Sequence, residues 1–134
     1  MKAEDLMIGD YVNYRGQIIK VTSLYDKGGS NEVGWSDKES VWVNADNVEP
    51  ILLTSEILEK NGFVTNDEQG NWKGYRIYSI FGANKNCTFM LKLYEKNSIY
   101  EISLNMAPYY ITFKYVHQLQ HALKLCGINK EIKL

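Results

Sequence analysis

Cys87-Thr88-Phe89-Met90-Leu91-Lys92-Leu93-Tyr94 points to a β-sheet at the centre of this chain. Phe89, Leu91 and Leu93 alternate with Thr88 and Lys92, the pattern of a strand with one face in a core. Strand length and composition recur at Tyr75 to Phe81, Ser98 to Leu104 and Tyr109 to Lys114. Asn84-Lys85-Asn86, Glu95-Lys96-Asn97 and Met106-Ala107-Pro108 supply turns between them. The spacing predicts a four-stranded antiparallel meander.

A helix is predicted on each side of this meander. Before it, Thr54 can cap a first turn in which Glu56 meets the positive end of the helix dipole. Gly62 ends that helix as the residue just past its cap, and Phe63 is placed to fold back onto Leu58. Thr65 to Asn71 is polar and reads as a loop. After the meander, Tyr115 to Cys126 reads as a helix closed by Gly127. Its apolar face gathers Tyr115, Val116, Leu119, Ala122, Leu123 and Cys126.

The first fifty residues read differently. Ile8 to Tyr14 is rich in β-branched and aromatic residues and stops at the turn Arg15-Gly16. Gln17 to Tyr25, Glu32 to Ser36 and Ser40 to Asn44 are further short strands, and Asp26 to Asn31 is a loop by composition. Short strands at this spacing predict a small closed or half-closed barrel. The chain is therefore expected to be a β-rich α+β protein. Residues 1–51 form a small β-barrel module, and residues 52–134 form a helix–antiparallel sheet–helix unit.

The opening Met1-Lys2-Ala3-Glu4-Asp5-Leu6-Met7-Ile8-Gly9-Asp10-Tyr11-Val12 resembles the first strand of Src-homology-3-like barrels. Leu52 to Phe63, together with Tyr115-Val116-His117-Gln118-Leu119-Gln120, resembles a family of small uncharacterised proteins of Bacteroidetes genomes, their phages and their mobile elements. The resemblance covers nearly the whole chain and implies an architecture and a source. It implies no catalytic residues. Accessory proteins of this kind are expected to bind something of the host's, including components of its defences.

Composition narrows the function classes. Among 134 residues, 45% are hydrophobic and 13% aromatic, ample for a packed core. The net charge of -1 lacks the basic excess typical of phosphate-binding proteins. Cys87 and Cys126 are the two cysteines, too few for a secreted disulfide scaffold, and both are expected to be reduced and buried. With no apolar leader and no run long enough to span a membrane, the expected location is the cytoplasm of a bacterium or infected host cell.

His117 and His121 have the four-residue spacing of a zinc-protease helix. Gln118 stands where such an enzyme needs its general-base glutamate, and no third ligand appears at a diagnostic spacing. Neither a metal nor another cofactor is expected. At about 100° per residue, His117, His121 and Lys124 share one stripe opposite the apolar face. That stripe is exposed or faces a neighbouring module or subunit, as solvated polar residues or as a partner contact.

The aromatic residues are numerous, with ten tyrosines and three tryptophans. Tyr11, Trp35 and Trp42 fall on the barrel strands, where they either fill the core or form a binding surface. Trp72 lies in a polar loop. Tyr109 and Tyr110 point to opposite faces of a strand, so one of them is outward. Arg15 and Arg76 are the only arginines, each suited to a surface contact or to capture of a phosphate or carboxylate. Gly28-Gly29 lacks the phosphate-loop pattern, and no serine or cysteine sits in a nucleophile elbow.

The function expected is therefore non-catalytic binding of a host protein or a small ligand, a signalling nucleotide among the candidates. The alternative is a nucleic-acid-associated module that uses the barrel surface. The edges of the meander also predict self-association, because unpaired edges need cover.

Overall fold

The computed structural model describes residues 1–28, 30–35, 41–65, 76–84, 87–96, 99–104 and 107–134. These form a β-rich α+β protein with two α-helices, α1 (Ser55–Lys60) and α2 (Val116–Leu125). The chain divides into two compact units. One comprises Met1–Leu52 with Tyr115–His121, the other Leu53–Lys114 with Ala122–Leu134. The sequence division at residue 51 assigned all of α2 to the second module, whereas its residues up to His121 group with the first unit.

In the first unit, β1 (Tyr11–Tyr14) pairs with β2 (Gln17–Lys20) and β6 (Glu49–Pro50). A second sheet contains β3 (Ser23–Lys27), β4 (Ser30–Gly34) and β5 (Trp42–Asn44) in that order. Among the described residues, these are two three-stranded sheets and not a closed barrel. The stretch expected as one strand from Gln17 to Tyr25 is broken at Val21 and Thr22, and its two halves belong to different sheets. The backbones of Asp26, Lys27, Ser30 and Asn31, expected in a loop, extend the β3–β4 hairpin instead.

Alternation within these strands builds one core. Val12, Ile19, Val21 and Val33 are buried with Leu6, Ala45 and Val48, and Tyr14, Leu24 and Trp35 pack against them. The β1–β2 hairpin turns at Arg15 and Gly16, with φ of 51° and 83°. Positive φ at both central residues matches the strand twist. Asn13 Oδ1 accepts a bond from Gly16 N at 2.8 Å and holds the turn.

The second unit contains a five-stranded antiparallel sheet. Its order is β11 (Ala107–Phe113), β10 (Ile99–Leu104), β9 (Cys87–Lys96), β8 (Arg76–Asn84) and β7 (Val64–Thr65). The expected four-stranded meander gains β7 because Val64 and Thr65 pair with Ser79 and Tyr78. Two residues are too few to show alternation, so the strand had no sequence signal. Tyr78, Tyr100 and Phe113 are buried, with Tyr100 stacked on Phe113 at 5.9 Å between ring centroids.

α1 is capped as expected. Thr54 Oγ1 accepts from Ile57 N at 3.4 Å, and Gly62, at φ 78°, turns the chain. Phe63 N then donates to Leu58 O at 3.0 Å and Gly62 N to Glu59 O at 2.9 Å, the paired bonds of a glycine stop. α2 ends in the same way, with Ile128 N on Leu123 O and Gly127 N on Lys124 O. Beyond it, Asn61 exchanges two bonds with the backbone of Lys133, each 2.8 Å, and Ile132 is buried. No helix among the described residues is long and apolar enough to cross a membrane.

Candidate functional site

The site grows from a tight turn in the first unit. Asp10 N donates to Met7 O at 3.1 Å, and Met7 N donates back to Asp10 Oδ2 at 2.7 Å. Gly9, at φ 99°, supplies the left-handed residue that the turn needs. Gly9 N and Asp10 O then bond Val21 O and Val21 N, which anchors the turn beside the β1–β2 hairpin. Asp10 is thereby held at 2% exposure, a buried carboxylate that needs a partner.

The first half of α2 provides it. His121 Nε2 lies 3.0 Å from Asp10 Oδ1 and 2.8 Å from Oδ2. The contact is an ion pair when the ring is protonated and a hydrogen bond donated by Nε2–H when it is neutral. One residue earlier, Gln120 Oε1 accepts from Tyr11 N at 3.1 Å and Gln120 Nε2 donates to Gly9 O at 3.0 Å. The amide thus serves as a strand partner for the backbone on both sides of Asp10.

Gln118, the residue in the place of a protease glutamate, closes the helix start instead. Its Oε1 accepts from Tyr115 N at 3.1 Å, half of a capping box. Tyr115 stacks on His117 at 5.8 Å with 12° between ring planes, and His117 meets His121 edge-on at 5.8 Å.

His117 is 4% exposed, and its buried Nδ1 has no hydrogen-bond partner. Burial pushes its pKa below the ordinary histidine value. Asp10 and, more weakly, Asp5 pull the other way, while His121 adds to the lowering. The expectation of one exposed polar stripe is therefore corrected. His117 faces inward, His121 is partly covered by its contact with Asp10, and only Lys124 is exposed. Amphipathic spacing assigned the first two to the polar side because it cannot register a buried carboxylate waiting there.

These rings border a cleft of about 420 Å³. One wall comes from Glu4, Asp5, Leu6 and Met7, the other from Tyr115, His117, Gln118 and His121. Among the described residues, no lysine, arginine, serine, threonine or cysteine lines it. Among the described residues, no group of three or more His, Cys, Asp or Glu side chains is placed to hold a metal ion.

The other residues singled out in the sequence fall elsewhere. Arg15 lies over the Tyr14 ring at 5.2 Å, Tyr14 packs on Trp35 at 5.3 Å, and Lys20 lies over Tyr11 at 5.6 Å. Trp42 is exposed and meets the exposed Tyr25 edge-on at 6.0 Å. Arg76 begins β8 opposite Glu95, and Tyr110 lies in β11, both described only through their backbones. Trp72 lies outside the described residues, and so does the side chain of Cys87. Cys126 is half-buried, and burial raises its thiol pKa, which disfavours a reactive thiolate.

Sequence reasoning missed Asp10, Gln120, Glu4 and Asp5. Asp10 follows a glycine at a strand start, an ordinary turn signal, and nothing in the local pattern marks its partner. Compared with known proteins, the chain matches no family model, no curated protein and no solved structure.

Proposed function

We propose that this chain is a non-catalytic binding protein whose cleft beside His117 and His121 receives a small ligand or a side chain of a host protein. One observation carries the reading: a histidine in the wall of an open cleft whose buried Nδ1 has no partner. Leaving such a group unpaired costs about 1–3 kcal/mol, which a bound partner offsets. The Asp10–His121 pair fixes the adjacent ring, so the wall is pre-organised. Among the described residues, the lining holds no serine, threonine or cysteine for the His–Asp pair to activate, which favours binding over acyl transfer.

The two three-stranded sheets around one core support a Src-homology-3-like first unit. The resemblance to phage and mobile-element proteins adds a setting: an accessory protein in the bacterial cytoplasm that acts on the host, against its defences. Native mass spectrometry of the chain after incubation with a bacterial metabolite extract tests the cleft. A small mass retained by the wild type and lost in His117→Phe is expected; no retained mass would sink the small-ligand reading.

A second reading has its own observation. Arg15 lies over Tyr14 beside Trp35, and Lys20 lies over Tyr11 at the other end of the hairpin; each cation–ring pair could contact a nucleic-acid base or phosphate. Salt-sensitive retention on heparin or labelled DNA would support it, and no retention at low salt would remove it. Self-association through the edges of the second unit's sheet predicts a light-scattering mass above that of one chain.

A further inference from the structure

The cleft's chemistry narrows what it takes. Glu4 and Asp5, two acidic residues, line the cleft, and among the described residues its lining holds no lysine or arginine. Lys2 reaches Glu4 at 3.3 Å, but both side chains are largely exposed, and such contacts are weak. The Met1 ammonium, also at the cleft, is turned toward Ala45 O and Val48 O, each 3.2 Å away. Leu6, Met7 and Pro50 add apolar surface, and Tyr115 adds an aromatic ring.

We infer that the cleft binds a small organic cation, an ammonium carried on an apolar body, in preference to a phosphate or carboxylate. This rests on the reading of the cleft as a ligand site. An anion entering it approaches Glu4 and Asp5, while the Met1 ammonium is already engaged by two backbone carbonyls. An ammonium finds these carboxylates, an aromatic face, and an imidazole able to accept a hydrogen bond.

The state of His117 agrees with this assignment. Burial keeps the ring neutral, so one of its nitrogens is an acceptor. Its Nδ1 has almost no exposed surface. A ligand's donor reaches it once the ring turns over about its Cβ–Cγ bond.

The test uses the isotopically labelled full chain near neutral pH, with phenethylammonium, 3-phenylpropanoate and adenosine monophosphate as probes. The histidine ring signals are followed by NMR. Saturable shifts of the His117 and His121 rings are expected with phenethylammonium alone. Glu4→Gln combined with Asp5→Asn, both exposed, should leave the fold intact and weaken binding about fivefold. His117→Phe should weaken it about tenfold.

Shifts with either anion and none with the amine would overturn the cation assignment and leave the cleft standing as a ligand site. No shift with any probe would overturn both. Equal affinity of the wild type and the Glu4/Asp5 double variant would remove the carboxylate wall as the source of selectivity.

Discussion

Helix α1 and the first turns of α2 are secured in opposite ways. The capping bonds of α1 come from its own neighbours: Thr54 at one end, Gly62 and Phe63 at the other, none reaching beyond the span from Thr54 to Phe63. The first half of α2 is tied through Gln120 and His121 to Tyr11, Gly9 and Asp10, 109 to 111 positions away. Both helices end on a glycine with the same pair of bonds. The difference teaches that a helix can be read locally while its functional face is defined by a partner that local pattern does not reveal.

The comparison predicts unequal costs of mutation, greatest where a buried charge loses its partner. Asp10→Ala removes the acceptor of both His121 and Met7 N and should lower the unfolding free energy by about 3 kcal/mol. Urea unfolding at constant m-value measures this. Asp10→Asn should recover part of the loss, because its amide oxygen can still accept from Met7 N. A loss under about 1 kcal/mol in the alanine variant would show that the Asp10–His121 contact behaves like an exposed pair.

Gln120→Ala deletes one donor and one acceptor to strand backbone, for an expected loss of about 2 kcal/mol. If its cost matched that of an ordinary surface substitution, the long-range tie of α2 would be decorative. Thr54→Ala removes only a local cap and should cost about 1 kcal/mol. A larger loss there than in Gln120→Ala would invert the contrast between the two helices.

The gentlest probe is pH. Burial lowers the pKa of His117 in the folded chain from 6.5, so the unfolded chain binds more protons between the folded and unfolded values. Stability should therefore hold steady above pH 6.5, fall as the pH drops through that value, and level off below the depressed folded pKa. His117→Phe should flatten this part of the stability–pH curve. An unchanged slope in that variant would assign the acid sensitivity to another group.

Legibility from sequence followed the range of the interactions. The β1–β2 turn at Arg15-Gly16 and the glycine stops at Gly62 and Gly127 depend on backbone preferences within a few residues, and they were visible. So was the meander, whose strands pair in sequence order. β7 was not visible, because two residues carry no period. The tie between Asn61 and Lys133 was equally hidden, since an asparagine after a helix reads as a cap whichever backbone its side chain meets. At the candidate site, both histidines stood out by type and spacing. Asp10 did not, and without it the histidines were assigned to an exposed stripe.

The β-rich α+β class, the helix ends, the Arg15-Gly16 turn and most of the described strands were legible in the amino-acid order alone. Each follows from local conformational preference and from alternation of apolar residues. Tertiary contacts alone fixed that His117 is buried with an unpaired nitrogen, that His121 and Asp10 form a pair, and that Glu4 and Asp5 line a cleft with both histidines. Those properties arise where segments more than a hundred residues apart meet. There, burial sets the energetic cost of leaving each polar atom without a partner, and local sequence patterns do not encode it.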